Sequence, residues 1–193
     1  MHVDRHSAQT GLKLVFGCLN VPSLTNKVDD LRTLLQEQSI DVMLLTETRH
    51  DADSISIRRF RTEGFNVIER ARPRVRDSTL RTNHGGVAVI AARGTCLSKV
   101  DLGAVPTTFQ HLCIRVTSGS SSCVVLLLYR PGSASVTNDF FTDLSDVLDR
   151  LVTFADPVII AGDVNIRLNR VDKSPARRFH ELVEDYGMSC DVT

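Results

Sequence analysis

An α/β fold with a mixed sheet arrangement is predicted by three features of this 193-residue chain. Apolar, β-rich runs at Leu12–Leu19 and Asp41–Thr46 enclose a stretch with apolar residues at helical spacing, the strand–helix–strand order of an α/β unit. Gln110–Thr117 and Ser122–Tyr129 are separated only by a G-S-S-S turn and read as an antiparallel hairpin. A helix from Asn138, an apolar run at Asp156–Asn165 and a helix from Ser174 close the chain with a further alternation. Residues 1–11 read as a tail, and residues 12–193 as one domain without internal repeat or linker.

Taken in order, the first strand ends by delivering Asn20. Asn26 then stands where a helix cap is needed, before Val28, Leu31, Leu34 and Leu35 at helical spacing, and that helix ends near Ser39. The strand Asp41–Thr46 delivers Glu47. A shorter helix, Asp51–Glu63, turns Ile55 and Phe60 inward and stops at Gly64. Phe65–Ile68 is a strand, an arginine-rich loop follows, and Gly85-Gly86 lead into the strand Val87–Ala92. After the hairpin, Asn138 caps a helix whose inner face carries Phe140 or Phe141, Leu144, Val147 or Leu148, and Leu151. In D-P-V-I-I-A-G-D-V-N the strand is Val158–Ala161, Gly162 allows close backbone approach to a ligand, and the period of two puts Asp163 and Asn165 on one side. G-D-x-N also serves as an ordinary turn after a strand. Ser174-Pro175 starts the last helix, lined by Phe179, Leu182, Val183 and Tyr186, and Gly187 stops it.

The formal net charge is zero, so overall charge points to no nucleic-acid partner. The distribution is uneven: Arg58–Arg81 holds eight Arg against three acids, and Asp139–Asp156 holds five Asp against one Arg. The basic stretch is a candidate for phosphate contact or a solvated loop, and the acidic one a solvated helix face. No apolar run approaches a membrane span, and the N-terminus lacks a signal-peptide core, so an intracellular protein is expected. Cys18, Cys96, Cys113, Cys123 and Cys190 have no C-x-x-C spacing and read as reduced thiols rather than zinc ligands or disulfides. His180-Glu181-Leu182-Val183-Glu184 lacks the second histidine of a zinc-protease helix.

Four strand ends therefore deliver polar groups: Asn20, Glu47, Tyr129 and the pair Asp163/Asn165. In packed α/β folds strand ends share a rim, so these residues can meet although distant in sequence. Two carboxylates and two amides make an oxygen-rich site suited to one Mg²⁺ that keeps part of its water shell, with Tyr129 as a donor to phosphate.

The ordered motifs G-C-L-N, L-L-T-E-T, H-G-G-V-A-V-I, L-L-L-Y-R-P and V-I-I-A-G-D-V-N resemble those of the endonuclease/exonuclease/phosphatase superfamily, which includes deoxyribonuclease I. With I-R-L-N and A-R-R-F-H-E-L-V-E-D-Y-G-M, the chain from Leu12 onward looks most like the endonuclease domain of non-LTR, LINE-type retrotransposons. The resemblance implies a four-layer α/β sandwich of two mixed β-sheets with a metal-dependent phosphodiesterase site on one rim. It implies Mg²⁺, with Mn²⁺ as an alternative, held by Glu47, Asn20 and Asp163. Asp163 would orient or activate the attacking water, Asn165 would hold the phosphate, and Tyr129 would lie near the scissile group. Duplex DNA backbone is the expected partner, met by Arg70, Arg72, Arg74, Arg76, Arg81 and Arg130, with the salt dependence of phosphate contacts. A retrotransposon origin implies action in the nucleus and allows a reverse-transcriptase region further along a longer protein.

The sequence departs from that family where the closing segment with its Asp-His pair is expected, because it ends at Asp191-Val192-Thr193. The sandwich is therefore expected to lack its final strands, leaving an open edge and a poorly stable, nearly inactive chain. None of His2, His6, His50, His84, His111 and His180 stands at an equivalent place. Two other functions stay open: a phosphoinositide, sphingolipid or RNA-tail substrate on the same fold, and a non-catalytic remnant that binds nucleic acid.

Overall fold

A computed structural model describes residues 13–52, 54–72 and 85–190 of the chain. The expected tail, and Arg74, Arg76 and Arg81 of the expected phosphate contacts, lie outside the described residues. The elements are β1 (Phe16–Asn20), α1 (Val28–Glu37), β2 (Val42–Thr46), α2 (Ile55–Thr62), β3 (Asn66–Arg70) and β4 (Val87–Ala91). They continue with β5 (Cys96–Lys99), β6 (Gln110–Ser118), β7 (Ser121–Tyr129), α3 (Asn138–Leu151), β8 (Val158–Asp163) and α4 (Ser174–Asp185).

The strands form two four-stranded sheets, ordered β1-β2-β4-β3 and β5-β6-β7-β8. Each is mixed, with one parallel pair at an edge: β1 with β2, and β7 with β8. The remaining neighbours are antiparallel. Three apolar clusters set the layers. Leu31 and Leu35 of α1, with Ile57 and Phe60 of α2, pack on Met43, Leu45, Ala88 and Ile90 of the first sheet. Its other face, through Val42, Leu44, Val87 and Val89, meets Leu112, Ile114, Val125 and Leu127 of the second sheet. Beyond that sheet, Phe140, Leu144, Val147 and Leu148 of α3, with Phe179 and Val183 of α4, cover Cys113, Val124, Leu126 and Leu128. The order helix, sheet, sheet, helix is the predicted four-layer sandwich. β2, β4 and β7 feed two cores at once, which is why they read as unbroken apolar runs.

Several elements differ from expectation. Ile55, expected to face inward, is 70% exposed, because α2 begins there and turns Ile57 and Phe60 to the sheet. Asn26 does not cap α1: it has φ 61°, Lys27 occupies the cap position, and no side-chain cap bond forms. β5, a C-L-S-K strand, was not expected, because its residues are mostly exposed and carry no apolar run. β8 runs to Asp163, past the expected end at Ala161. Val158–Ala161 on the edge strand β8 are only half-buried, whereas their neighbours Val124–Leu128 on β7 are fully enclosed.

Gly162 has a reason of its own. Its φ is 130°, and a Cβ there would collide with the Leu128 carbonyl on β7. The close approach it permits is therefore between strands, not toward a ligand.

Candidate active site

Register brings the polar strand ends together. Asn20 pairs with Thr46 across β1 and β2, so Asn20 and Glu47 leave the first sheet side by side. Tyr129 pairs with Asp163 across β7 and β8 and they leave the second sheet together. The two sheets open on one rim, where a single amide joins them: Asn20 Nδ2 donates to Glu47 Oε1 at 3.1 Å and to Asp163 Oδ2 at 2.9 Å. The Tyr129 hydroxyl, from the second sheet, faces the Glu47 carboxylate of the first closely enough to feel its charge. Burial first, and the Glu47 charge second, push its phenol up to about 12.

Asp163 and Asn165 are neighbours for a different reason from strand periodicity. β8 ends at Asp163, and Asn165 takes a left-handed φ of 50°. The pair is closed by a turn in which Asn165 N donates to Asp163 Oδ1 at 2.9 Å. Asn165 Nδ2 donates to the Arg130 carbonyl at 2.7 Å. The five residues expected at the site thus occupy one rim of the sandwich.

Arg130, expected to touch phosphate, does not reach solvent: it is 2% exposed. Its guanidinium donates to the carbonyls of Val164 (2.6 Å), Ala134 (2.6 Å), Asn165 (2.7 Å) and Pro131 (3.3 Å), and lies over the Phe140 ring. Four carbonyls surround the cation, so its work is to hold two loops together. Arg70 is exposed and donates to the His111 carbonyl at 3.2 Å. Arg72 lies near enough to Tyr129 to oppose the rise of its pKa.

A further cation, not expected from the sequence, stands beside Glu47. Arg49 Nη2 is 3.4 Å from Glu47 Oε2, and its buried Nε has no hydrogen-bond partner. The signal was present in T-E-T-R, an arginine two residues beyond the delivered glutamate, but only the left-handed φ of 53° at Glu47 and 47° at Arg49 turns both toward the rim. The described histidines have partners or packing elsewhere. His50 contacts Thr48 and Glu69, and His180 contacts the Leu168 carbonyl. His111 is buried against Phe109, its pKa pushed down to about 4 by burial first and by Arg70 and Lys99 next.

Among the described residues, no three His, Cys, Asp or Glu side chains converge on one point. What converges is Glu47 and Asp163, drawn to one amide of Asn20. Two carboxylates, hard oxygen ligands short of a full shell, suit a divalent cation that retains water, and the Asn20 group turned toward them is its N–H. The five cysteines are all free thiols, and burial raises Cys18, Cys113 and Cys123 above the usual thiol range. Among the described residues, no helix is long and apolar enough to cross a membrane.

The model of the Endonuclease/Exonuclease/phosphatase family matches residues 17–182, a span that contains every one of the rim residues. The chain belongs to this family. The endonuclease domain of TRAS1, a telomere-specific non-LTR retrotransposon, shares the fold at a TM-score of 0.63 and 9% identity, over 92% of this chain and 74% of that one. The 3′ phosphatase NExo from Neisseria, bound to a product DNA hairpin, gives 0.62 at 18% identity over 89% and 70%. The AP endonuclease LMAP from Leishmania major gives 0.62 at 16% over 98% and 75%. No curated protein matches the chain. At these identities the likeness is one of fold, within a family of nucleases and phosphatases.

Proposed function

We propose that this chain is a divalent-metal-dependent phosphodiesterase that nicks duplex DNA, as the endonuclease domain of a non-LTR retrotransposon. The observation that carries the reading is the Asn20 amide held between Glu47 and Asp163, the point at which both sheets aim a carboxylate. Glu47, Asp163 and Asn20 would hold Mg²⁺ or Mn²⁺, which when bound stabilises charge building on phosphate oxygens. Asp163 orients the attacking water and accepts its proton on a carboxylate oxygen. Asn165 uses one amide hydrogen on the Arg130 carbonyl and offers the other to a phosphate oxygen. Tyr129 keeps its proton across the neutral range and faces Glu47 from the opposite sheet. Arg49 and Arg72 supply the positive field that a DNA backbone requires. Such a substrate would place the work in the nucleus.

The test is nicking of supercoiled plasmid in Mg²⁺, Mn²⁺ or EDTA by the unaltered chain, Glu47→Ala and Asp163→Asn. The expected result is metal-dependent nicking, reduced at least about 10²-fold in both variants. Nicking in EDTA, or full activity of Glu47→Ala, would sink the proposal. The engagement of His50 and His180 elsewhere favours a second reading, DNA binding without cleavage. That reading requires salt-sensitive retention of duplex DNA with no nicking in either metal.

A further inference from the structure

Glu47 and Arg49 both adopt the left-handed region, at φ 53° and 47°, and neither is glycine. Such a conformation costs on the order of 1–3 kcal/mol at each residue and persists only where its surroundings over-determine it. Part of the support is backbone. Ser23 N and Leu24 N donate to the carbonyls of Glu47 and Thr48, while Thr48 N and Arg49 N donate to those of Gly86 and Gly85. The rest is a side-chain chain running away from the rim, buried at Thr48 and His50 and part-buried at Glu69. Thr48 Oγ1 lies 2.6 Å from His50 Nδ1, His50 Nε2 lies 3.0 Å from Glu69 Oε2, and the same Glu69 oxygen accepts from Ala71 N at 3.2 Å.

The carboxylate only accepts, so in the neutral ring Nε2 carries the hydrogen and Nδ1 accepts from the Thr48 hydroxyl. A threonine, a histidine and a glutamate in this order resemble a proton relay, but Thr48 is fully buried and the His50 side chain is 1% exposed. Neither reaches substrate. The chain does connect two things the reaction needs: the turn that presents Glu47, and the end of β3, where Arg70 and Arg72 emerge.

We propose that His50 and Glu69 are positioning residues, a brace that holds the Glu47 turn in its metal-presenting conformation. The inference rests on the metal-dependent reading above. Groups behind metal ligands typically change metal affinity or activity 10- to 100-fold when removed.

The test uses protein without DNA. Amide hydrogen exchange and Mn²⁺ titration calorimetry are compared for the unaltered chain, Glu69→Gln, His50→Ala, His50→Gln and the double variant. The brace requires about tenfold faster exchange at Thr48 and Arg49, with exchange at Leu44 and Val89 unchanged. It requires Mn²⁺ affinity at least about tenfold weaker in Glu69→Gln and His50→Ala. His50→Gln keeps a donor toward Glu69 and should fall between, and the double variant should be no worse than either single. Mn²⁺ affinity within twofold of the unaltered chain in both variants would overturn the brace, as would loosening of β2 and β4 to the same degree as the turn. Failure of the unaltered chain to nick plasmid removes the DNA reading alone, because neither exchange nor Mn²⁺ titration involves DNA.

Discussion

Two turns build this site, and they are held in different ways. The Glu47 turn, at the end of β2, is braced by side chains acting on one another, Thr48 to His50 to Glu69. The Asp163–Asn165 turn, at the end of β8, is clamped by one guanidinium acting on four backbone carbonyls. Both contain a non-glycine residue near φ 50°. The first follows a strand enclosed on both faces, so the sheet carries much of its support. The second follows a half-buried edge strand, so a single residue, Arg130, supplies what the sheet does not. Losing one brace residue should therefore disturb a turn, whereas losing Arg130 should disturb the fold around it.

The largest effect is expected at Arg130. Arg130→Met takes the partner from four part-buried carbonyls, and with the lost packing over Phe140 chemical denaturation should show a loss of about 3 kcal/mol or more. Arg130→Lys cannot reproduce the planar fork and should recover less than half of that. The salt dependence of DNA binding by folded Arg130→Met, which removes the charge, should keep its slope. A slope reduced by about one phosphate contact with stability intact would return Arg130 to the role of phosphate contact.

Next come the glycines behind each turn. A Cβ at Gly162 meets backbone, the Leu128 carbonyl, and at Gly86 it meets the end of a side chain, Thr48 Oγ1 at 2.7 Å. Both have positive φ, at 130° and 87°. Backbone cannot step aside, so Gly162→Ala should cost about 3 kcal/mol against about 1–2 kcal/mol for Gly86→Ala. Equal costs in thermal or denaturant melts would erase the distinction between the two supports.

The same contrast explains what could be read in advance. β2, β4, β7 and α3 were legible because burial on two faces, or one helical stripe with Phe140 and Leu144, leaves a periodic record. The rim residues were legible because strand ends deliver their side chains in order, and the family resemblance named the same positions. β5 left no such record, since an exposed edge strand needs no apolar run. Arg130 misled for a related reason. An arginine after a strand looks solvent-facing, and only tertiary structure reveals four carbonyls around it. Arg49 was missed because backbone handedness, which turns it to Glu47, is not written in residue type when the residue is not glycine.

A smaller effect is expected at Asn20, where the two turns meet. Asn20→Ala leaves Glu47 and Asp163 facing each other without their shared donor, costing about 1 kcal/mol in metal-free protein. A divalent cation stabilises by mass action according to its affinity, so Mg²⁺ should raise the melting temperature of a variant that lacks one of the groups holding it less than that of the unaltered chain. An equal Mg²⁺ shift in both would mean that the amide does not mark the cation position.

The effect confined to alkaline pH, and the one that touches both turns, belongs to Tyr129. Its hydroxyl reaches from the second sheet to Glu47 of the first, and its pKa rises from 10.0 to about 12 in the folded chain. The folded state therefore keeps a proton that the unfolded state releases. The stabilisation is fully present below about pH 10 and is lost as pH rises through about 12. Over that window the unaltered chain should lose stability more steeply than Tyr129→Phe, with both curves nearly parallel at neutral pH. Parallel curves through the alkaline range would mean that the phenol is neither enclosed nor set against the Glu47 charge, leaving the Asn20 amide as the polar link between the two turns.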